Sequence, residues 1–298
     1  MKITPSKYKN LFALEVETEN YTTLVLPNEG GKIVSFFDKH TQREYLLQNP
    51  SNTYLQLGLT GDFEKCECSG FDDMFPTIDP VVVDGKNYPD HGEVCRVPFS
   101  YTIIGNSLVL KYTSETLGYT YQKTVSVGEN GALKIDYAIQ NISGKDLKVL
   151  WSAHCLVKIE NDGKLLLPFE ENEPVDCVYH SENADLQTRC AYRKADFIIR
   201  IPETKMAKKW YFPHRSPQGY VGYQTPQGER FILTFDNQRL PYLGIWLDYG
   251  MVNGTFSVGL EPCSAGYDTV QNAEKRGQDV LLKKDESLRF SISLSVEK

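Results

Sequence analysis

The sequence lacks most of the features that mark membrane, nucleic-acid and phosphate-binding proteins. No apolar run approaches the ~20 residues that a membrane-spanning helix needs. Acidic residues outnumber basic ones, 39 to 32, so the basic excess typical of nucleic-acid binding is missing. The chain has no phosphate-binding glycine loop, no G-x-S-x-G nucleophile elbow and no H-E-x-x-H metal motif. We therefore expect no membrane or nucleic-acid partner, no metal and no cofactor.

Cysteine pairs with the spacing of a structural zinc site are also scarce. The chain has seven cysteines, an odd number, and the only close pair is "CEC" at 66–68. A structural zinc site usually needs a second matched pair, so free thiols are favoured. The first residues, "MKITPSKYKNLF", lack the apolar core of a signal peptide. We expect a cytoplasmic protein with reduced cysteines.

Helical periodicity is rare, and alternation of apolar and polar residues dominates instead. The segments "LKIDYAIQ" (133–140) and "LRFSISLSV" (288–296) alternate strictly, as half-buried antiparallel strands do. "GENG" (128–131) is a hairpin signal, and only "TVQNAEKR" (269–276) favours a short helix. No linker or change of composition interrupts the pattern. The sequence predicts an all-β fold, a large antiparallel β-sandwich forming one domain over residues 1–298.

One histidine occupies an unusual position for a titratable side chain. His154 stands within "DLKVLWSAHCLVKIE", where alternation places it on the same strand face as Leu150 and Leu156. Two interpretations are open, a hydrogen-bonded core histidine and an acid–base group. Imidazole titrates near neutral pH and serves in either role.

Four other groups form candidate ligand contacts. His91 in "YPDHGEV" belongs to a solvated turn or to the wall of a polyol site. Asp72 and Asp73 in "SGFDDMFPTIDP" cap turns or accept hydroxyl hydrogen bonds. Trp246, with Asp248 nearby in "LPYLGIWLDYG", lies in the core or at the edge of a sugar site.

A single glutamate follows an alternating run in "VGLEPCSAGYD". Val258 and Leu260 share one face of the predicted strand, and Glu261 takes the other. Pro262 cannot extend a central ladder, so we expect Glu261 at a strand end. Gly259 would leave space for a ligand beside the carboxylate.

Several segments, taken in order, resemble the aldose 1-epimerase or galactose mutarotase-like superfamily. They are "NEGGKIVSF", "GFDDMFP", "PDHGEV", "LWSAHCLVKI", "LPYLGIW" and "GLEP", and they span roughly Tyr21 to Asp268. The resemblance implies a β-supersandwich with the sugar in an open cleft. It implies His154 and Glu261 as the catalytic pair, with His91 bonding the sugar.

The same resemblance implies the chemistry and leaves one residue unplaced. Glu261 would act as base on the anomeric hydroxyl, and His154 would act as acid on the ring oxygen. A further aspartate of the family matches either Asp236 or Asp248. Where the hexose-phosphate branch has an arginine after the histidine, this chain has Cys95, so we expect a neutral aldohexose as substrate.

Two other functions remain open from the sequence. A glycoside hydrolase would pair Glu261 with Asp72 or Asp73 across the scissile bond. A non-catalytic sugar-binding or sensing protein would keep the aromatic residues and His91 without needing a His–Glu pair.

Overall fold

The chain folds almost entirely into antiparallel strands. The computed structural model describes residues 1–182 and 188–298. Strands account for 49% of the chain and helices for 6%, which confirms the predicted all-β, antiparallel class.

Two large sheets contain most of the described strands. The larger has twelve strands, which pair in the order β1 (Lys2–Tyr8), β2 (Leu11–Glu17), β3 (Tyr21–Leu26), β4 (Lys32–Asp38), β6 (Phe71–Met74), β14 (Ser152–Lys158), β22 (Phe256–Cys263), β21 (Tyr242–Tyr249), β18 (Met206–Tyr211), β16 (Pro174–His180) and β17 (Thr188–Ala191), with β5 (Arg43–Glu44) beside β4. The smaller has eight strands, in the order β15 (Lys164–Leu166), β19 (Tyr220–Gln224), β20 (Arg230–Phe235), β24 (Ser287–Glu297), β12 (Leu133–Asn141), β11 (Tyr119–Val127), β10 (Ser107–Ser114) and β9 (Ser100–Ile104).

The remaining elements are short. Two-stranded sheets join β13 (Leu147–Lys148) to β23 (Leu281–Leu282) and β7 (Val81–Val83) to β8 (Lys86–Tyr88). The helix α1 spans Val270–Lys275, within the segment predicted to be helical. Short 3₁₀ turns cover Phe63–Lys65, Val94–Arg96, Glu129–Gly131 and Lys194–Phe197.

The core lies between the two large sheets. The alternating segments predicted as strands, β12 and β24, pair with each other and direct their apolar residues inward. Phe36 of β4 meets Phe231 of β20 with ring centres 5.7 Å apart, which joins the two layers. Alternation places every second side chain of the twelve-stranded sheet on its other face, and the candidate site lies on that face.

Two local predictions differ from the structure. The segment 147–158 is not one strand, because Leu147–Lys148 pairs with β23 and only Ser152–Lys158 joins the large sheet. Glu261 is not at a strand end, because β22 continues through Pro262 to Cys263. Within the described residues, no helix is both long and apolar enough to cross a bilayer.

Candidate active site

A row of polar side chains crosses the centre of the large sheet. His154 on β14 lies opposite Asp72 on β6. The pairs Ser152–Cys263 and Cys155–Leu260 set the register that places His154 opposite Glu261 on β22. Directly paired residues direct their side chains to the same face. Continued across β4, β21 and β18, this register defines what we call the polar row: Lys32, Asp72, His154, Glu261, Gly244 and Tyr211.

Pro262 shapes the centre of this row. The ladder between β14 and β22 is interrupted between its flanking pairs, at the positions of Glu261 and Pro262. Proline has no N–H to donate, so a gap is expected there. On the other side, Leu243 still pairs with Pro262 and Gly244 with Glu261. The strand therefore tolerates the proline, and its one opening falls beside His154 and Glu261.

Two glycines make room for the Glu261 carboxylate. A Cβ added at Gly244 would lie 2.8 Å from Tyr211 and 3.0 Å from Glu261 Oε2. One added at Gly259 would lie 3.1 Å from Trp246 Cβ and 3.2 Å from Glu261 Oε1. Gly259 was expected to clear space for a ligand, but the space it provides is used by these two protein side chains.

Glu261 belongs to a buried charged cluster. Its side chain is 1% exposed, and Lys209 Nζ lies 3.0 Å from its Oε2. The same ammonium is 2.7 Å from Asp268 Oδ1, and Tyr211 Oη donates to that oxygen at 2.9 Å. Burial raises the pKa of Glu261, while the Lys209 charge opposes the rise. The carboxylate is thus desolvated yet electrostatically supported, the usual condition of a tuned acid–base group.

His154 is buried beside this cluster. It is 4% exposed, and its Nδ1 has no hydrogen-bond partner among the residues that the structure describes. Burial, followed by the charges of His91 and Lys209, lowers the pKa of His154 well below its usual value. Both effects disfavour the protonated form of this imidazole.

His91 reaches the same place from a loop. Its ring centre is 5.0 Å from that of His154, and its Nδ1 lies 2.9 Å from Asp90 Oδ1. Its other face stacks on Phe63, with centroids 3.6 Å apart, and the Phe63 ring meets His154 edge-on at 5.3 Å. His91 has a φ of 59°, a left-handed conformation more common in turns and functional loops than in strands.

The Phe63 ring covers part of the candidate site. Phe63 is itself 4% exposed and lies over the imidazoles. The cavity left beside Lys32, Asp72 and Phe63 measures about 10 Å³, roughly the space of one water.

Asp72 and Asp73 face opposite sides of the sheet. Asp72 lies in the polar row, where Lys32 Nζ is 2.9 Å from its Oδ2. Burial raises the pKa of Asp72, and Lys32 counteracts part of that rise. Asp73 points into the core, where Lys123 Nζ is 3.1 Å away and Tyr137 Oη donates at 2.8 Å. This position removes Asp73 from the candidate site, because successive residues of a strand alternate between faces.

Trp246 and Asp248 lie on the same face as Glu261 but differ in their contacts. Trp246 is half-buried next to Gly259 and stacks on Tyr179, with ring centres 5.5 Å apart. Asp248 accepts hydrogen bonds from the N–H groups of Met251 and Val252, so it caps the turn that follows β21. Each Asp248 oxygen already accepts one backbone hydrogen bond, and a sugar contact by this residue stays a prediction.

Neither of the two aspartates that the resemblance offers, Asp236 and Asp248, lies beside Glu261. Asp236 follows β20 in the eight-stranded sheet and accepts from the Gln238 N–H. Asp248 is a turn cap. The side chains that contact Glu261 or share its network are instead Lys209 and Asp268.

Sequence reasoning missed the buried lysines. In "MAKKWYF", Lys209 alternates with Ala207 and Tyr211 on the buried face of β18. A lysine at an apolar position of an alternating strand was the available signal, since buried lysines almost always have a partner. Phe63 carried no comparable signal, because nothing in a short loop sequence predicts which site its aromatic ring covers.

Comparisons with solved structures identify the fold. A galactose mutarotase-like protein from Clostridium acetobutylicum superposes with a TM-score of 0.72 at 14% identity, over 100% of this chain and 99% of that one. One from Lactobacillus casei gives 0.66 at 14% identity, over 96% and 100%. An aldose epimerase homologue from C. elegans gives 0.64 at 11% identity, over 95% and 98%.

These similarities define the class of structure. The chain has the galactose mutarotase-like fold, which confirms the supersandwich that the sequence resemblance implied. No protein-family model and no curated protein sequence matches this chain.

Proposed function

We propose that this protein is an aldose 1-epimerase that interconverts the α and β anomers of a neutral aldohexose. The observation that carries the proposal is the pairing of His154 and Glu261. They occupy facing positions on adjacent central strands, on one face, at the gap in the ladder. His91 stands 5.0 Å from His154, ring centre to ring centre.

The pairing suits ring opening of a cyclic hemiacetal. Glu261 takes the proton of the anomeric hydroxyl, and the freed electron pair forms the C1=O bond. The C1–O5 bond breaks, and O5 takes a proton from His154, which enters this step as the imidazolium and leaves it neutral. Rotation about C1–C2 followed by the reverse steps closes the ring on the other face of the carbonyl. The pair gains and loses one proton in each cycle, so the reaction needs no other reactant.

The directions of the pKa shifts of the two groups also favour this chemistry. Burial raises the pKa of Glu261 and lowers that of His154, which moves their proton affinities toward each other. In the proposed step, the sugar relays a proton between these two groups. Because the groups are coupled, activity should follow a bell-shaped pH profile that belongs to the pair.

Arg96 supports a neutral rather than a phosphorylated substrate. Its guanidinium is buried and donates to the backbone carbonyls of Asp90, Gly92, Gly58 and Gly61. These bonds use its donors within the protein. Lys32 and Lys209 are likewise held by carboxylates within 3.0 Å. The half-buried Trp246 with Tyr179 provides an aromatic surface suited to the apolar face of a sugar.

The hydrolase alternative is less well supported. Asp73 faces the core, which leaves only Asp72 to pair with Glu261. Those two residues are two strands apart, about 10 Å between backbones, with His154 between them. Each is tied to an ammonium group. A role for His154 follows directly from mutarotation and has no place in a two-carboxylate hydrolase.

Polarimetry tests the proposal. Freshly dissolved α-glucose and α-galactose, and their 6-phosphates, should be followed with wild type, Glu261→Gln and the control Glu44→Gln. Glu44 is a half-buried carboxylate on β5 that accepts from the N–H groups of Phe36 and Leu46, outside the polar row. We expect accelerated rotation change with the free sugars for wild type and Glu44→Gln only. Spontaneous rates with every aldose, or full activity in Glu261→Gln, would refute the proposal.

A further inference from the structure

Lys209 occupies a place in the site that neither the sequence motifs nor the proposed reaction uses. It lies on β18, two strands from β22, and its side chain is 9% exposed. β21 lies between β18 and β22, and Lys209 Nζ reaches across it to within 3.0 Å of Glu261 Oε2. Its second partner, Asp268 Oδ1, is 2.7 Å away.

Asp268 is fixed independently of Lys209. It has a φ of 71°, and its Oδ1 accepts from Tyr211 Oη at 2.9 Å. Its backbone carbonyl accepts from the N–H groups of Ile78 and Asp79. The loop that holds Asp268 therefore has other anchors. A lysine needed only to hold this loop would have no reason to contact Glu261 as well.

Glu261 faces charged or titratable groups from every neighbouring element except β21. β14 contributes His154, and β18 contributes Lys209 and Tyr211. β21 contributes only Gly244. The chain after Glu261 contributes Cys263 and Asp268, and the loop at His91 contributes that imidazole. Lys209 is the one permanently cationic group in direct contact with the carboxylate among the described residues.

We infer that Lys209 is a positioning residue that holds Glu261 as the anionic base, oriented by one ion-paired oxygen, and so assigns the base and acid roles within the His154–Glu261 pair. The inference rests on the proposed function for its catalytic meaning. The charge state of Glu261 is measurable without any sugar. Removing the ammonium would leave two carboxylates sharing a buried site, where one of them must take up a proton.

The test compares Lys209→Met, Lys209→Arg and the double variant Lys209→Met/Asp268→Asn with wild type. Glutamate carboxyl groups labelled with ¹³C are titrated by NMR in the sugar-free protein, and Glu261→Gln assigns the signal. We expect the Glu261 titration to move to higher pH by about 1–3 units in Lys209→Met, the range known for a nearby opposite charge. In Lys209→Arg, Glu261 should titrate close to its wild-type pH. In the double variant, the shift of the Glu261 titration should be smaller than in Lys209→Met.

Activity provides the second readout. In Lys209→Met, the acid limb of the pH profile of kcat/KM should move to higher pH together with the NMR titration. On the pH-independent plateau, KM should stay near the wild-type value. Lys123→Met/Asp73→Asn is the matched control, because it removes a buried ammonium and its carboxylate partner from the core side of the sheet. The acid limb of the control variant's pH profile should match that of wild type, even if the variant is less stable.

The outcomes separate this inference from the proposed function. A Glu261 titration unchanged in Lys209→Met, with folding verified by circular dichroism, overturns the role of Lys209. A shifted titration in a protein that exchanges no anomers upholds the role of Lys209 in setting the charge and refutes the epimerase. If Lys209→Met does not fold, Lys209→Met/Asp268→Asn carries the test, and an unshifted Glu261 in that variant overturns the inference.

Discussion

The two faces of strand β6 each bury one aspartate, and they differ in how completely the polar groups around it are hydrogen-bonded. Asp72 and Asp73 are adjacent, both are 3% exposed, and each has a lysine within about 3 Å. On the core side, Asp73 also accepts from Tyr137, and its network is closed. On the other side, Asp72 neighbours His154, whose Nδ1 is unpartnered among the described residues. Burial and charge are alike on both faces, so the open hydrogen-bonding capacity distinguishes the site.

The same comparison applies to the three buried lysines. Lys123 and Lys209 interrupt the apolar alternation of a strand, whereas Lys32 begins β4, and each of the three meets a carboxylate. Lys123 stabilises the core, whereas Lys209 contacts the carboxylate proposed to move a proton. A buried ion pair is therefore informative about function only when its neighbours are known.

The largest expected effect lies on the chemical face. Glu261→Gln and His154→Ala should each lower anomer exchange by ~10²–10⁴-fold, because each removes one partner of a concerted proton transfer. The combined variant should lose little more than either single one, since both groups serve one step. Stopped-flow polarimetry measures these rates, and circular dichroism checks the fold. Additive losses would contradict the paired mechanism.

The two aspartates provide the sharpest test of the comparison. Asp73→Asn should lower the free energy of unfolding by about 3–5 kcal/mol, because it leaves the Lys123 charge buried and unpaired. Exchange per folded molecule should not change. Asp72→Asn should cost stability and also activity, since an uncompensated Lys32 disfavours a proton on His154. Denaturant unfolding and polarimetry on the same samples report both. Equal effects of the two changes on activity would break the distinction between the faces.

A smaller effect concerns the pH dependence of stability. The pKa of His154 is lowered in the folded protein, so the unfolded chain binds a proton near pH 6.5 that the folded chain refuses. This group therefore reduces stability as the pH falls below about 6.5, by at most about 1.4 kcal/mol per pH unit. His154→Asn should lose less stability than wild type between pH 7 and 5 in urea unfolding. Parallel pH curves for the two proteins would show that His154 is not buried neutral.

The smallest expected effect is at the loop histidine. His91→Asn should raise KM more than it lowers kcat, because His91 is proposed to hold a hydroxyl rather than to move a proton. The matched change is His40→Asn, at an exposed turn where the imidazole lies within hydrogen-bond distance of Asn20 Oδ1. That variant should behave as wild type. A loss confined to kcat in His91→Asn would assign it to the proton transfer instead.

Much of the fold followed from the sequence because alternation is a local signal. The faces of β12 and β24, the hairpin at 128–131 and the helix α1 were all predicted correctly. From the sequence, Glu261 and Pro262 were predicted at a strand end, because a proline in a central strand has no N–H to donate to its neighbour. The sheet keeps it, since the lost hydrogen bond falls on one side of β22 only.

The site was harder to predict because it depends on contacts between distant segments. The strand face of His154 was readable from its neighbours, but its lowered pKa depends on burial beneath Phe63 and on charges from other strands. The opposite directions of Asp72 and Asp73 required knowing that "FDDM" is a strand rather than a loop. Lys209 was visible only as a lysine out of place in an alternating pattern.

The most direct measurement is magnetisation exchange between the α and β anomer signals of glucose and galactose at equilibrium, followed by NMR with and without protein. It needs no product assay and detects ring opening in both directions. We predict exchange cross-peaks that grow with wild-type concentration and vanish for Glu261→Gln at neutral pH. Exchange at the spontaneous rate with wild type, or undiminished exchange with Glu261→Gln, would contradict the assignment of the His154–Glu261 pair.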